Sequence, residues 1–148
     1  MDSNLVEPKL TDRPHDTRVE RVMLASAEAL YESFTTGWEG WFTLEGALIA
    51  DPVVNGQVFF VVEHEGNRHP HYGRFLTLEP ARKVEPTWVT GKDGTQGAET
   101  VLSVDLEPRA GGCALTLSHR GFYDQERADL HGKSWERILA EIDKHLTN

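Results

Sequence analysis

Residues 129–146 read DLHGKSWERILAEIDKHL, and their apolar pattern sets the architecture of the chain. Apolar side chains recur at intervals of three and four from just before this stretch to its end, which places them on one helical face. The members of this stripe are Ala128, Trp135, Ile138, Leu139, Ile142 and Leu146. Acidic residues precede the stripe and Lys144 and His145 close it, as the helix dipole favours. The sequence predicts one long amphipathic helix that must cover an apolar surface elsewhere.

Two weak helix formers interrupt this helix near its start. Gly132 and Ser134 shortly precede the bulky Trp135, and both lower helix propensity relative to alanine. Small residues at these positions predict that the helix backbone approaches a neighbouring element closely. Trp135 then either closes one end of a cavity or simply fills the core, as aromatic residues in such a stripe often do.

The residues before this helix predict the surface that it covers. Ser26 caps a predicted helix over 27–34, and WEGWF (38–42) predicts a short second one. Alternating apolar residues predict about six strands; these lie at 17–24, 57–64, 68–80, 82–90, 99–108 and 113–122. Thr100, Leu102, Val104 and Leu106 share one face, as do Leu115, Leu117 and His119. We expect a single α+β domain over residues 17–148 behind a flexible arm, residues 1–16.

Composition narrows the classes of partner. The chain has 148 residues, 39% of them apolar, and a net charge of −9 with scattered basic residues. Nucleic acid and anionic membranes are disfavoured because both require clustered Lys and Arg. Cys113 is the only cysteine, which excludes an internal disulfide. With no apolar leader at the start, we expect a cytoplasmic protein whose partner is a small molecule or another protein.

Several pieces of the sequence resemble a known family in order and spacing. They are ASAEALYESFT (25–35), GWEGWF (37–42), NGQVFF (55–60), GRFLTLEPARKVEPTW (73–88), ETVLSVDLEPRAGGCALTLSHRGF (99–122) and HGKSW (131–135) followed by Leu139. Together they resemble the SRPBCC superfamily, also called START-like or helix-grip. Within it, they are similar to the bacterial branch related to the C-terminal domain of the activator of the heat-shock-protein-90 ATPase. The departures include Ser26 for a usual proline and Ser134 for a usual glycine.

This resemblance implies a helix-grip fold of about six to seven antiparallel strands, two short helices and one long C-terminal helix. It also implies a function: binding of a small hydrophobic or aromatic ligand in a cavity of at least about 300 Å³ between the sheet and that helix. Two alternatives stay open. One is a chaperone-interacting module, and the other is a cyclase-like enzyme that uses His119.

The candidate ligand-binding residues are apolar or aromatic side chains on the predicted inner faces, with one histidine as a polar anchor. They are Trp41, Phe60, Leu76, Trp88, Leu102, Leu117, His119, Trp135 and Leu139. His119 is either this anchor, a general base, or a buried histidine bonded to its surroundings. We assign no catalytic residue, no cofactor and no metal, because His64, His69 and His71 have weak metal-ligand spacing and Cys113 sits where the family has a threonine.

Overall fold

The described residues form one sheet and two helices. The computed structural model describes residues 5–39, 41–91 and 94–147. The strands are β1 (His15–Met23), β2 (Ile49–Ala50), β3 (Gln57–His64), β4 (Asn67–Glu79), β5 (Lys83–Trp88), β6 (Thr100–Arg109) and β7 (Gly112–Phe122), and the helices are α1 (Ala27–Ser33) and α2 (Gln125–Thr147). All seven strands join one curved antiparallel sheet in the order β1-β7-β6-β5-β4-β3-β2. This is the α+β helix-grip fold that the sequence predicts.

The core lies between one face of the sheet and α2. The predicted inner faces of β6 and β7 are confirmed: Leu102, Val104, Leu115 and Leu117 are all buried in one apolar cluster. The predicted helical stripe meets them, with Leu139 and the neighbouring apolar residues of α2 in the same cluster. Burial alternates along β7, whereas the first five residues of β6 are all buried, so both faces of β6 are covered there.

The helix α2 begins earlier than its apolar stripe. The side chain of Asp124 accepts a hydrogen bond of 2.7 Å from the backbone N–H of Arg127, which satisfies a free donor of the first turn. Four residues ahead of the quoted stretch therefore belong to the helix. Within the described residues, neither helix combines the length and the apolarity that crossing a bilayer requires.

The prediction of a second short helix at 38–42 is wrong. Trp38, Glu39, Trp41 and Phe42 are not helical, although the Phe42 N–H donates to the Trp38 carbonyl at 3.1 Å; Gly40 lies outside the described residues. The aromatic side chains favour this arrangement, because packing Trp38 and Phe42 against Phe60 and Trp88 outweighs the gain from a second helical turn.

The predicted boundary of the arm falls inside β1, which begins at His15. The guanidinium of Arg13 donates to the carbonyls of Gly121 at 2.7 Å and Glu99 at 2.8 Å, so the chain is attached to the sheet just before β1. Residues 1–4 of the predicted arm lie outside the described residues. The flexibility of the arm stays a prediction.

At Gly132 the backbone of α2 lies close to the sheet. A Cβ added there would lie 2.3 Å from Oγ1 of Thr17 on β1, well inside van der Waals contact. The close approach predicted from the small residues beside Trp135 is therefore present, and β1 is the neighbour. Glycine costs about 1 kcal/mol of helix propensity at this position, which the close packing offsets.

We expect Gly132→Ala to destabilise the protein by about 1–2 kcal/mol, because the clash exceeds the gain in helix propensity. In a Thr17→Ala background the obstructing hydroxyl is gone, and the same change should become neutral or stabilising by up to about 1 kcal/mol. Chemical denaturation of the four variants in this cycle gives the coupling. Equal effects of Gly132→Ala in both backgrounds would contradict the contact.

Candidate functional site

A groove of about 490 Å³ opens beside the first half of α2, between that helix and the strands β3, β4 and β5. We call it the α2 groove. Its apolar lining consists of Phe42, Val62, Pro70, Trp88, Trp135 and Ile138. Its polar lining includes His64, Arg68, His69, Thr90, Ser134 and Arg137. The groove is open to solvent on one side, so it differs from the enclosed cavity that the resemblance implies.

Indole rings form the floor of the α2 groove. Trp88, at the end of β5, meets Trp135 edge to face, with ring centroids 5.3 Å apart. His71 contacts the same Trp88 ring at 5.1 Å and stacks on Phe60 at 5.0 Å. Offset and edge-to-face contacts of this kind hold aromatic rings in fixed orientations. The floor is thus a rigid aromatic surface.

A chain of hydrogen bonds connects the indole of Trp135 to the backbone of Trp88. Trp135 Nε1 donates to His119 Nδ1 at 3.2 Å. Because an indole N–H can only donate, Nδ1 is unprotonated and Nε2 carries the proton of the neutral ring. Nε2 lies 2.8 Å from Thr100 Oγ1, which in turn donates to the Trp88 carbonyl at 2.5 Å. Both tryptophans that line the groove are therefore joined through His119.

This arrangement makes His119 a positioning residue. The side chain is completely buried, and burial lowers its pKa well below the ordinary value, with further lowering from His131 and His71. Both ring nitrogens are occupied, so taking a proton from a ligand would require breaking the bond to Trp135. The geometry matches a buried histidine bonded to its surroundings, and His119 is therefore not itself a free base for a cyclase-like reaction.

Two further histidines, His71 and His131, face the groove. Burial is the largest effect on both: it lowers the pKa of His71 to about 4 and also lowers that of His131. Each ring bonds to a backbone carbonyl through Nδ1, His71 to His69 and His131 to Arg127, both at 2.9 Å. At neutral pH the groove therefore has three uncharged imidazoles in or behind its floor.

These depressed pKa values predict that the protein loses stability in mild acid. All three histidines stay neutral when folded but protonate near pH 6.5 when unfolded, so stability is full above that pH and falls as pH drops toward about 4, the value for His71. We expect His71 alone to account for a loss of roughly 1 kcal/mol between about pH 7.5 and about pH 5.5, with His119 and His131 adding to it. Urea denaturation at both pH values measures it.

The matched variants are His71→Asn and His145→Asn. The first should reduce the loss, and the second is the control at a solvent-exposed position near the end of α2. A free energy of unfolding that is the same at both pH values would contradict burial of the three neutral rings.

The structure separates the nine candidate ligand-binding residues into groups. Trp88 and Trp135 line the α2 groove and His119 lies directly behind them. Four are buried in the apolar core, namely Phe60, Leu102, Leu117 and Leu139. Trp41 packs against that core and lines a shallow surface depression with Glu39, Phe42, Thr43 and Glu45. Leu76 is buried but outside the main core cluster.

Sequence reasoning did not single out His131 as a lining residue. A signal existed, since His131 precedes Trp135 by one helical turn and so shares its face. His71 was considered only as one of three histidines with weak metal-ligand spacing. In the described part of the chain no cluster of three or more His, Cys, Asp or Glu side chains is arranged to hold a metal ion.

The chain is similar to one family and to many solved structures. The family model described as Activator of Hsp90 ATPase homolog 1-like protein matches residues 24–147. Protein CV1439 from Chromobacterium violaceum is 24% identical with a TM-score of 0.73, over 91% of this chain and 99% of its own. The Aha1 dimer from Colwellia psychrerythraea is 18% identical with a TM-score of 0.69, over 88% and 95%. At these identities the structures establish the fold alone. No curated protein matches the chain at a significant level.

Proposed function

We propose that this chain, which belongs to the family of Activator of Hsp90 ATPase homolog 1-like proteins, binds a small hydrophobic or aromatic molecule in the α2 groove. The observation that carries the proposal is the aromatic floor: Trp88 and Trp135, which are 4% and 2% exposed, lie at the bottom of an open groove of about 490 Å³, and the bond to His119 holds the Trp135 indole in place. Ligand sites in proteins are mostly apolar concavities with few polar groups and occupy about 300–1,000 Å³.

The fixed orientation of the floor supports this proposal. A ring that is free to rotate loses conformational entropy when a ligand immobilises it, whereas the bond from Trp135 to His119 has already fixed its indole. The apolar lining continues upward through Val62 and Ile138, which would remove the rest of a small ligand from water. Such burial is favourable by about 25 cal/mol for each Å² of apolar surface.

The test is native mass spectrometry of gently purified protein, which should show an added mass that denaturation releases. Ser134→Phe places a ring in the groove from α2 and should abolish this mass. The matched control is Lys133→Phe, the same change at the exposed neighbouring position, which should retain it. Retention of the mass by the Ser134 variant would show that the molecule binds elsewhere, and the proposal would fail.

The family description favours one second candidate, a module that interacts with a chaperone. Adding the purified protein to a heat-shock-protein-90 chaperone should then change its ATPase rate. The Ser134→Phe variant distinguishes the two functions, because filling the α2 groove should not disturb a protein contact made elsewhere on the domain. An ATPase rate that stays constant up to saturating protein would dismiss this candidate.

A further inference from the structure

The floor of the α2 groove carries two hydrogen-bond acceptors. His71 Nδ1 lies 2.9 Å from the His69 carbonyl, and His131 Nδ1 lies 2.9 Å from the Arg127 carbonyl. A carbonyl oxygen can only accept, so Nδ1 carries the proton in each ring. A neutral imidazole has a single N–H, which leaves Nε2 of both histidines as an acceptor with a free lone pair.

Neither Nε2 atom has a hydrogen-bond partner among the described residues. Among the described residues, two side-chain nitrogens have neither contact with solvent nor a hydrogen-bond partner. They are the indole nitrogens of Trp38 and Trp41. Nε2 of His71 and Nε2 of His131 also lack a partner but are not among these sealed atoms, so both are in contact with solvent. Both histidines line the groove. They are therefore reached from the groove itself.

Among the described residues, no side-chain donor is hydrogen-bonded to either acceptor, although the hydroxyl groups of Thr90 and Ser134 also line the groove. The indole N–H of Trp135 is already bound to His119. The guanidinium groups of Arg68 and Arg137 lie at the rim, largely exposed and beside Glu63 and Glu141. A ligand that removes water from the floor must therefore supply the donor, or leave an acceptor desolvated and unpaired at a cost in affinity.

We infer that the α2 groove selects an aromatic hydroxy compound, a phenol, whose ring lies against Trp88 and Trp135 and whose O–H donates to Nε2 of His71 or His131. This inference rests on the proposed function and specifies its ligand class. An aryl ether of the same shape lacks the donor. An aryl carboxylate at the floor would place acceptor oxygens against acceptor nitrogens.

The experiment compares 2-naphthol with 2-methoxynaphthalene by isothermal titration calorimetry at about pH 7.5. Both carry the same two rings, and only the first has a donor. A hydrogen bond of ordinary net strength predicts that 2-naphthol binds about three- to tenfold more tightly. The double variant His71→Phe/His131→Leu should bind both compounds with similar affinity. The control His64→Phe, at the rim, should keep the full preference.

Equal affinities for the two compounds would overturn the inference and leave the proposed function standing. Failure of both compounds to bind would count against the inference and against the proposed function. If the double variant does not fold, the wild-type protein still decides: the ¹⁵N resonance of an Nε2 atom should shift with 2-naphthol and stay in place with the ether. An unchanged resonance at saturating 2-naphthol would overturn the inference.

Discussion

Trp135→Ala is expected to lower the free energy of unfolding by about 3–5 kcal/mol, the range for truncating a buried tryptophan. The side chain is only 2% exposed and contacts Trp88 and Phe42. Its removal opens the core beside α2 and also leaves His119 Nδ1 buried without a donor. The same change should abolish ligand retention, because half of the aromatic floor is lost. Urea denaturation and native mass spectrometry measure the two effects.

Trp135→Phe separates the hydrogen bond from the packing. Phenylalanine keeps a ring in the core but cannot donate to His119, so we expect a smaller loss of about 1–3 kcal/mol. In the Trp135→Phe background, His119→Phe removes the nitrogen that has lost its donor and should recover part of the lost free energy of unfolding. A loss below about 1 kcal/mol for the alanine variant would contradict the central position of this residue.

Asp143→Ala is expected to lower the free energy of unfolding by about 3–4 kcal/mol. The buried carboxylate of Asp143, near the end of α2, binds the backbone between β1 and α1. Its oxygens accept hydrogen bonds from the backbone N–H of Leu24 at 2.9 Å and of Ala25 at 2.8 Å. Alanine leaves both donors without this acceptor and detaches α2 from the turn after β1. Denaturation in urea measures the loss.

Glu141→Ala is the control for this change. Glu141 lies two residues earlier on α2, is exposed, and pairs only with Arg137 at the surface, so its loss should cost less than about 0.5 kcal/mol. If the two alanine variants had the same stability, the carboxylate of Asp143 would not be the attachment point described here.

The fold was predictable because periodicity reports which side of an element is buried. The stripe from Ala128 to Leu146 required a long helix, and alternation in β6 and β7 required a one-sided sheet to receive it. Trp88 and Trp135 were also predictable as groove residues, since large aromatics on an inner face are the usual lining of an apolar site.

Other features depend on irregularities that periodicity does not contain. A β-bulge between Phe75 and Thr77 shifts the register of β4, so Phe75 rather than Leu76 enters the main core. Asp143 follows Leu139 by four residues and so lies on the buried stripe, but only the tertiary structure provides the two N–H groups that it binds. The extent of the α2 groove depends on how far α2 lies from β3 and β4.

The most direct test of the α2 groove as the ligand site is a ¹H–¹⁵N spectrum of the indole N–H groups during titration with 2-naphthol. The chain has four tryptophans. Trp88 and Trp135 line the groove, whereas Trp38 is buried among aromatic rings and Trp41 lines the separate depression. We predict saturable shifts for the signals of Trp88 and Trp135, with that of Trp38 unchanged. Shifts confined to Trp38 and Trp41, or no shift at all, would contradict the account.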